Sequence, residues 1–304
     1  MTIDTVFILG AGYSARAFAE TNAGRSPQIF GTTRVADKFR GLENSGVTPL
    51  LFDGLSLSEP ALAALRETTH LVVSIAPGET GDPALALLGD LRAIMPALRW
   101  VGYLSTVGVY GDHDGGWVDE TSQCRPVSRR SVERVSVEQA WLAAGETAGL
   151  PVAILRLSGI YGPGRNAFVN LAAGTARRLI KPGQVFNRIH VDDIAGALWH
   201  LAERNLGGIF NITDDEPAPP QDVVTYAAAL MGVQPPPEED FETAQLSPMG
   251  RSFYGEIKRV ANSAIKKAGY RFLFPDYRAA LDAMWREGNW QGSEQRPVRS
   301  PIRG

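Results

Sequence analysis

The residues with the clearest chemical meaning stand near the start of the chain, where Gly10, Gly12 and Ala15 form the pattern G-x-G-x-x-A. The two glycines allow a tight turn and a close approach of the backbone to a pyrophosphate, and Ala15 lets the next helix pack closely on the preceding strand. The N–H groups of that helix, from Tyr13 and Ser14 onward, would face the phosphates. The pattern predicts a dinucleotide site, although pairs of glycines also close ordinary turns.

A basic residue stands where sites of this kind select their cofactor. In sites for NAD, an acidic residue about 20 positions after the glycines holds the ribose 2′-hydroxyl group. Here that place holds Thr33 and Arg34, and a guanidinium group pairs with a 2′-phosphate. The sequence therefore favours NADP over NAD. The alternative is that Arg34 is a solvated surface charge and that Asp37 contacts the ribose.

Two later residues are further candidates for cofactor contacts. Asp53 follows the third apolar run, and a carboxylate there can accept a hydrogen bond from an adenine amino group. Ala76 belongs to an Ala-Pro-Gly turn after the fourth run, where small residues would let the backbone lie along the cofactor. Small residues would serve equally well in any loop.

Strands that alternate with helices must position these residues. Short apolar runs predict strands at residues 6–9, 28–33, 48–52, 71–74, 100–105, 152–157 and 208–212. Helices are predicted between them, including 83–95, 131–148 and 167–178. This alternation predicts an α/β fold with a Rossmann-type, doubly wound parallel sheet flanked by helices. The ligand belongs at the carboxyl ends of the strands.

The same pattern suggests how the chain divides. We expect residues 1–165 to form mainly an NAD(P)-binding domain, whose sheet also receives the strand near 208–212. Residues 166–287 would form mainly a smaller C-terminal substrate lobe. Residues 288–304 are polar and lack an apolar period, so we expect a disordered tail there.

Composition limits the classes of function. The 304 residues are 44% hydrophobic and 21% charged, as in ordinary globular proteins. A formal charge of −3 argues against nucleic acid or an anionic membrane as partner. The single cysteine, Cys124, cannot form an internal disulfide, which suits the cytoplasm. No apolar run approaches the length of a spanning helix, and we expect no metal site.

Several segments together resemble the extended short-chain dehydrogenase/reductase family, in particular its NAD-dependent epimerase/dehydratase-like members. They follow one another in the family's order: the glycine turn, Asp53, LSTVGVYG (104–111), DET (119–121), RLSGIYGPGR (156–165), HVDD (190–193) and FNIT (210–213). The resemblance implies that Ser158, Gly159 and Ile160 run past the nicotinamide. It also implies a homodimer through the helices at 83–95 and 131–148.

The chain departs from this family at the residues that transfer the proton. Family members use a Ser or Thr after the fifth strand, which Thr106 matches as the hydroxyl that polarises the substrate oxygen. They also use a Tyr-x-x-x-Lys pair on the next helix. Alignment on Glu138 places Arg130 at the Tyr position and Arg134 at the Lys position. Arginine keeps its proton, so Arg130 cannot act as the acid, whereas Arg134 could still bind the ribose or a phosphate.

Three other residues could stand in as the proton donor. Tyr110 would do so if its loop folds over the nicotinamide; in the family this tyrosine usually packs and orders the loop. His113 has an ordinary pKa near about 6.5, but its Gly-rich surroundings indicate an exposed turn. Tyr161 belongs to the RLSGIYGPG segment and is expected to line the site.

The second lobe carries a group of cations that could hold an anionic substrate, such as a phosphorylated compound or a nucleotide sugar, or that could simply be solvated. They are Arg165, Arg177, Arg178, Lys181 and Arg188. Two hypotheses remain open. The protein is an NAD(P)-dependent oxidoreductase or epimerase/dehydratase-like enzyme acting on a nucleotide sugar or another small carbonyl or hydroxyl compound. Alternatively, it is a catalytically silent NADP-binding sensor or regulator.

Overall fold

The computed structural model describes residues 3–25, 28–78 and 81–292. The strands are β1 Thr5–Leu9, β2 Gln28–Thr33, β3 Thr48–Leu51, β4 His70–Val73, β5 Trp100–Thr106, β6 Trp117–Val118, β7 Val152–Leu157, β8 Gly159–Tyr161, β9 Arg178–Ile180, β10 Arg188–His190, β11 Gly208–Ile212, β12 Glu238–Asp240 and β13 Arg259–Val260. The helices are α1 Tyr13–Asn22, α2 Phe39–Glu43, α3 Glu59–Arg66, α4 Pro83–Leu88, α5 Leu91–Ile94, α6 Arg129–Ala148, α7 Ala167–Ala172, α8 Val191–Glu203, α9 Pro220–Met231, α10 Pro248–Ser252, α11 Ser263–Lys267 and α12 Tyr277–Glu287.

A seven-stranded parallel sheet forms the centre of the molecule. Its strand order is β3-β2-β1-β4-β5-β7-β11, and every neighbouring pair is parallel. All seven predicted strands lie in this sheet, and the one near 208–212 pairs with β7 as its edge strand. The prediction of a Rossmann-type doubly wound sheet is therefore confirmed. The strand order reverses between β1 and β4, where such sheets bind their ligands.

Both faces of the sheet are covered by helices, which explains the continuous apolar run of β1. Val6 and Ile8 point into a core that they share with α1 and α8. Phe7 and Leu9 point into the opposite core, which contains side chains of α3 through α6. Successive side chains of a strand face opposite sides, so a strand buried on both faces needs apolar residues at every position.

The second lobe has a core of its own, formed by α7, α9 and α12. Phe168, Tyr277 and Leu281 are buried there. The predicted tail begins too early, because Trp290 packs against this core at 5.9 Å between its ring and that of Phe168. Residues 288–292 thus belong to the lobe, and residues 293–304 lie outside the described residues.

Other predicted boundaries also shift. The predicted helix at 83–95 is two helices, because the backbone turns at Gly89, whose φ is +52°. The predicted helix at 167–178 ends at Ala172, and β9 follows it and pairs with β12. Helix α8 packs on α1 and the sheet, although it lies in the range predicted as the substrate lobe. The division at residue 165 itself stays a prediction.

A buried carboxylate holds the C-terminal segment onto α8. The oxygen atoms of Asp193 accept hydrogen bonds from the Tyr270 hydroxyl at 2.8 Å and from the backbone N–H groups of Leu273 and Phe274 at 2.7 and 3.0 Å. Asp193 is fully buried, and this burial raises its pKa to about 6. Three donors from one segment therefore depend on a single side chain.

We predict that Asp193→Ala lowers the free energy of unfolding by about 3 kcal/mol or more, because it removes a buried acceptor that three donors of the C-terminal segment share. Urea denaturation at pH 7.5, followed by circular dichroism, measures this loss. The exposed Asp37 provides the control, and Asp37→Ala should change the free energy by less than about 0.5 kcal/mol. Equal effects of the two substitutions would contradict this account of the contact.

Candidate cofactor and active site

The glycine turn after β1 is held against β2. The N–H group of Gly10 donates to the hydroxyl of Thr32 at 2.8 Å, and that of Ala11 donates to the carbonyl oxygen of Thr32 at 2.7 Å. Gly10 has a φ of +88°, and a β-carbon there would stand 2.7 Å from the side chain of Ile75. Only glycine fits this conformation and this space without a shift of its neighbours.

Gly12, by contrast, borders open space. It is the N-cap of α1, where no side chain caps the helix, and a β-carbon on Gly12 would meet nothing within 4 Å. The first N–H groups of an α-helix lack intrahelical acceptors and attract anions. The chain therefore offers an uncovered helix N-terminus at the point where the sheet's strand order reverses. This cradle fits the diphosphate of a dinucleotide.

Other predicted contacts lie along the same edge of the sheet. Thr33, Ala76, Thr106 and Ser158 lie at or just after the carboxyl ends of β2, β4, β5 and β7. Because all these strands are parallel, their carboxyl ends meet at one edge. The structure thus brings these four residues to the edge where Gly12 stands.

The two charged residues expected to hold the adenosine half also lie at this edge. Arg34 directly follows β2 and is exposed, and its side chain makes no hydrogen bond or ion pair within the described residues. Asp53 follows β3, and its Oδ1 accepts hydrogen bonds from the N–H groups of Leu55 and Ser56 at 2.8 and 3.2 Å. These bonds lower the pKa of Asp53, so its carboxylate stays ionised.

The chain leaves the sheet at Ser158, Gly159 and Ile160. The N–H group of Ser158 donates to the carbonyl oxygen of Ile212 at the end of β11. Gly159 begins β8, and a β-carbon on it would stand 3.1 Å from the carbonyl oxygen of Asn187. The backbone of this segment is therefore fixed between the sheet and the second lobe.

A tyrosine of the glycine turn reaches the second lobe directly. The hydroxyl of Tyr13 donates to the carbonyl oxygen of Pro163 at 3.0 Å. Gly162 has a φ of +152°, and a β-carbon there would stand 2.7 Å from the Tyr13 hydroxyl. The turn that would hold the diphosphate and the turn that leads into the lobe thus pack against each other.

Thr106 and Arg134 are both tied to β5. The Thr106 hydroxyl accepts a hydrogen bond from the N–H group of Gly108 at 3.1 Å, and no acceptor for its own proton lies among the described residues. It remains able to donate to a ligand. The Nη1 of Arg134 donates to the carbonyl oxygen of Leu104 at 2.5 Å. Arg130 is exposed, so the Tyr position of the family carries no group that faces Thr106 in a buried site.

Tyr110 lies inside the protein rather than over the sheet's edge. It is fully buried, its hydroxyl donates to Oδ1 of Asn211 at 2.8 Å, and it accepts from Nη1 of Arg156 at 2.9 Å. Burial raises the pKa of Tyr110 to about 12. This placement does not support Tyr110 as the proton donor, because its proton is already engaged and protein covers it. It matches the alternative, in which this tyrosine orders the loop.

The other two proton-donor candidates are also engaged or covered. The Nε2 of His113 lies 3.1 Å from the carbonyl oxygen of Tyr110. The hydroxyl oxygen of Tyr161 is buried and makes no hydrogen bond, and the residue packs against the core of the second lobe. Neither position identifies a replacement for the family's tyrosine.

A buried ion pair between α6 and β7 was missed by the sequence analysis. Nη2 of Arg156 lies 2.7 Å from Oε2 of Glu138, and both side chains are buried. Ser105 on β5 donates to the same carboxylate. In the sequence, Glu138 was used only to align α6 with the family's helix. The one sign of its partner was that Arg156 is a charged residue within the apolar run of β7. The pair fixes α6 relative to the strand that carries Thr106.

The five cations predicted as an anion-binding group do not converge. Arg177 and Arg178 each form an ion pair with a glutamate of β12, at 2.5 and 2.7 Å. Lys181 donates to a backbone carbonyl oxygen, and Arg165 is exposed. Arg188 lines a cavity of the second lobe.

The described ranges, residues 3–25, 28–78 and 81–292, contain neither a candidate metal cluster nor a candidate membrane span. Within these ranges, no three or more His, Cys, Asp or Glu side chains form a group that could hold a metal ion. The helices there include none that is both long and apolar enough to cross a membrane.

The chain is similar to several known proteins along most of its length. The solved structure of a functionally unknown conserved protein from Silicibacter pomeroyi is 47% identical, with a TM-score of 0.84, and the match covers 94% of this chain and 99% of that one. The protein YeeZ of Escherichia coli is 29% identical over 89% of this chain and 96% of its own length. A human epimerase family protein solved with NADPH is 18% identical, with a TM-score of 0.69 and coverage of 93% and 99%.

A family model also matches the segment that contains β5, α6, β7 and β11. Residues 91–213 match the model of the NAD dependent epimerase/dehydratase family. The matched segment includes Thr106, Glu138, Arg156 and Ser158. Over these residues the chain is similar to the NAD-dependent epimerase/dehydratase family, and its fold is that of the human epimerase family protein.

Proposed function

We propose that the protein binds NADP, or less tightly NAD, along the carboxyl edge of its sheet and uses it to oxidise or reduce a small carbonyl or hydroxyl compound. The observation that carries this proposal is the uncapped, uncovered N-terminus of α1 at Gly12. The similarity of residues 91–213 to the NAD-dependent epimerase/dehydratase family supports it, as does the NADPH bound to the human protein of the same fold.

Different residues at the carboxyl edge of the sheet would contact different parts of the cofactor. The backbone of Gly10, Gly12 and the first turn of α1 would hold the diphosphate. Arg34 would pair with a 2′-phosphate, because its guanidinium group has no partner among the described residues. Asp53 would accept from the adenine amino group through the oxygen that its own turn leaves unused. Ala76 and the segment 158–160 would line the rest of the path.

The bound nicotinamide supplies the hydride donor or acceptor, and the chain's own residues orient and polarise the substrate. The Thr106 hydroxyl would donate a hydrogen bond to the substrate oxygen. Arg134 places a permanent positive charge beside β5, which favours negative charge on that oxygen. Since neither group releases a proton near neutral pH, the proton would be exchanged with water. A nucleotide sugar is one substrate that this class of chemistry admits.

A second candidate rests on the same helix. The exposed Arg130 and the strand-bound Arg134 occupy the positions where the family carries its Tyr and Lys. A protein that binds NADP without turning it over would need neither of those groups. The alternative is therefore a sensor or regulator that responds to NADP.

Calorimetric titration with NADPH and NADH tests the binding proposal, and a hydride-transfer screen over nucleotide sugars and small carbonyl compounds then separates the two candidates. Binding with turnover supports the enzyme. Binding without turnover on any compound favours the sensor. If neither cofactor binds, both candidates are wrong.

We predict that Gly12→Ala weakens NADPH binding by at least about tenfold, or about 1.4 kcal/mol, while the melting temperature stays within about 1 °C. The added methyl group meets no protein atom but occupies the path of the diphosphate. Gly10→Ala provides the contrast: its β-carbon would clash with Ile75, so this variant loses stability as well. Unchanged NADPH affinity in Gly12→Ala would contradict the assigned diphosphate position.

We predict that Arg34→Ala weakens NADPH binding by about 10- to 100-fold, because hydrogen bonds to a charged group contribute about 1.5–3 kcal/mol. NADH binding should change by less than about threefold, as NADH lacks the 2′-phosphate. Titrations of both cofactors into the variant measure the difference. Arg286→Ala, an exposed arginine on α12, is the charge-matched control and should affect neither. Equal losses for both cofactors would refute the NADP preference.

We predict that Thr106→Val lowers kcat by about 10²- to 10³-fold on any substrate that the screen identifies, because one hydrogen bond to the substrate oxygen is lost. Cofactor affinity should stay within about threefold, and Thr106→Ser should restore most of the activity. Full activity in Thr106→Val would exclude this role.

A further inference from the structure

The second lobe contains a cavity between α7, α9 and α12. Its volume is about 200 Å³, which corresponds to about six water molecules at about 30 Å³ each. The lining combines apolar side chains of α9 and α12 with a few polar groups, and it includes Tyr161, Asn170, Arg188, Val223, Tyr277 and Leu281. No acidic side chain lines it within the described structure.

Arg188 brings an unpaired charge to this cavity. Its Nη1 donates to the backbone carbonyl oxygens of Phe186 and Ala218, at 2.9 and 3.0 Å. Among the described residues, none accepts from its Nε or Nη2, and it forms no ion pair. Burial lowers the pKa of Arg188, as expected of a cation that lacks a compensating anion.

The same edge of the guanidinium group binds a carboxylate at two other arginines of this chain. Nε and Nη2 of Arg156 both donate to Glu138, and those of Arg177 both donate to Glu239. Two parallel N–H groups at this edge match the two oxygens of a carboxylate. Arg188 therefore has the geometry of these two pairs without the acid.

The surroundings of Arg188 do not replace the missing anion. Asp214 lies close enough to Arg188 for an electrostatic interaction, but the two side chains form no hydrogen bond or ion pair among the described residues, and burial raises the pKa of Asp214 to about 8. A buried charge without an anionic partner is costly, and a ligand that accepts from the free edge of Arg188 would recover that cost.

We propose that this cavity binds a small organic carboxylate, with its anionic end on Arg188 and its apolar end against Val223 and Leu281. The volume suits an acid of about seven non-hydrogen atoms. The helices of the lobe form this site, whereas the cofactor is proposed to lie on the sheet's edge. The inference goes beyond the proposed function and does not depend on it.

Calorimetry on the full chain, without added NADP or NAD, tests the proposal with isovalerate as the probe. Isovalerate should bind and raise the melting temperature, and the neutral isovaleramide should bind at least about tenfold more weakly. Inorganic phosphate should not compete, because it lacks the apolar part and the planar pair of oxygens. Since no cofactor is present, the outcome is independent of whether the sheet's edge binds NADP.

Three variants locate the binding. Arg188→Gln should abolish it. Because Arg188 also supports two backbone carbonyls, Val223→Phe serves as a second variant that fills the cavity and leaves the arginine in place; it should abolish binding as well. Arg177→Gln is the control, since its carboxylate-binding edge is already occupied by Glu239. Failure of isovalerate to bind the wild-type chain, undiminished binding to Arg188→Gln or Val223→Phe, or binding of phosphate in its place would overturn the proposal.

Discussion

The arrangement of the candidate site depends on one buried ion pair, Glu138 with Arg156. Two charges removed from water are tolerated only where hydrogen bonds satisfy them, and each partner left alone would be strongly destabilising. Here the pair holds α6 against β7, Ser105 joins it from β5, and the Tyr110 hydroxyl completes the set around the guanidinium group. The hydrogen bond between Tyr110 and Arg156 therefore fixes the loop after β5, and with it the position of the end of that strand.

This anchoring does not depend on the two arginines of α6 that precede Glu138. The ion pair lies one helical turn beyond Arg134 and involves neither Arg130 nor Arg134. What remains at the edge is a hydroxyl and a fixed positive charge. Such a site can polarise an oxygen atom but has no group suited to proton transfer near neutral pH.

The sheet could be predicted from the sequence because helices cover both of its faces. Each strand therefore needs apolar residues at successive positions, and these form a clear apolar run. The sequence predicted less well wherever a distant segment decides the outcome. The helix predicted at 167–178 is cut short by the pairing of β9 with β12, and Trp290 is held by Phe168, far away in the chain. The same limit applies to Tyr110. The sequence around this tyrosine does not show whether its hydroxyl faces a ligand or, as in the structure, Arg156.

The contact between Tyr13 and Pro163 has a mechanical meaning. It links the start of α1, at the sheet, to the turn that opens the second lobe. A molecule that displaced Tyr13 on binding at either side would alter the affinity of the other side, and thermodynamic reciprocity makes the two effects equal in size.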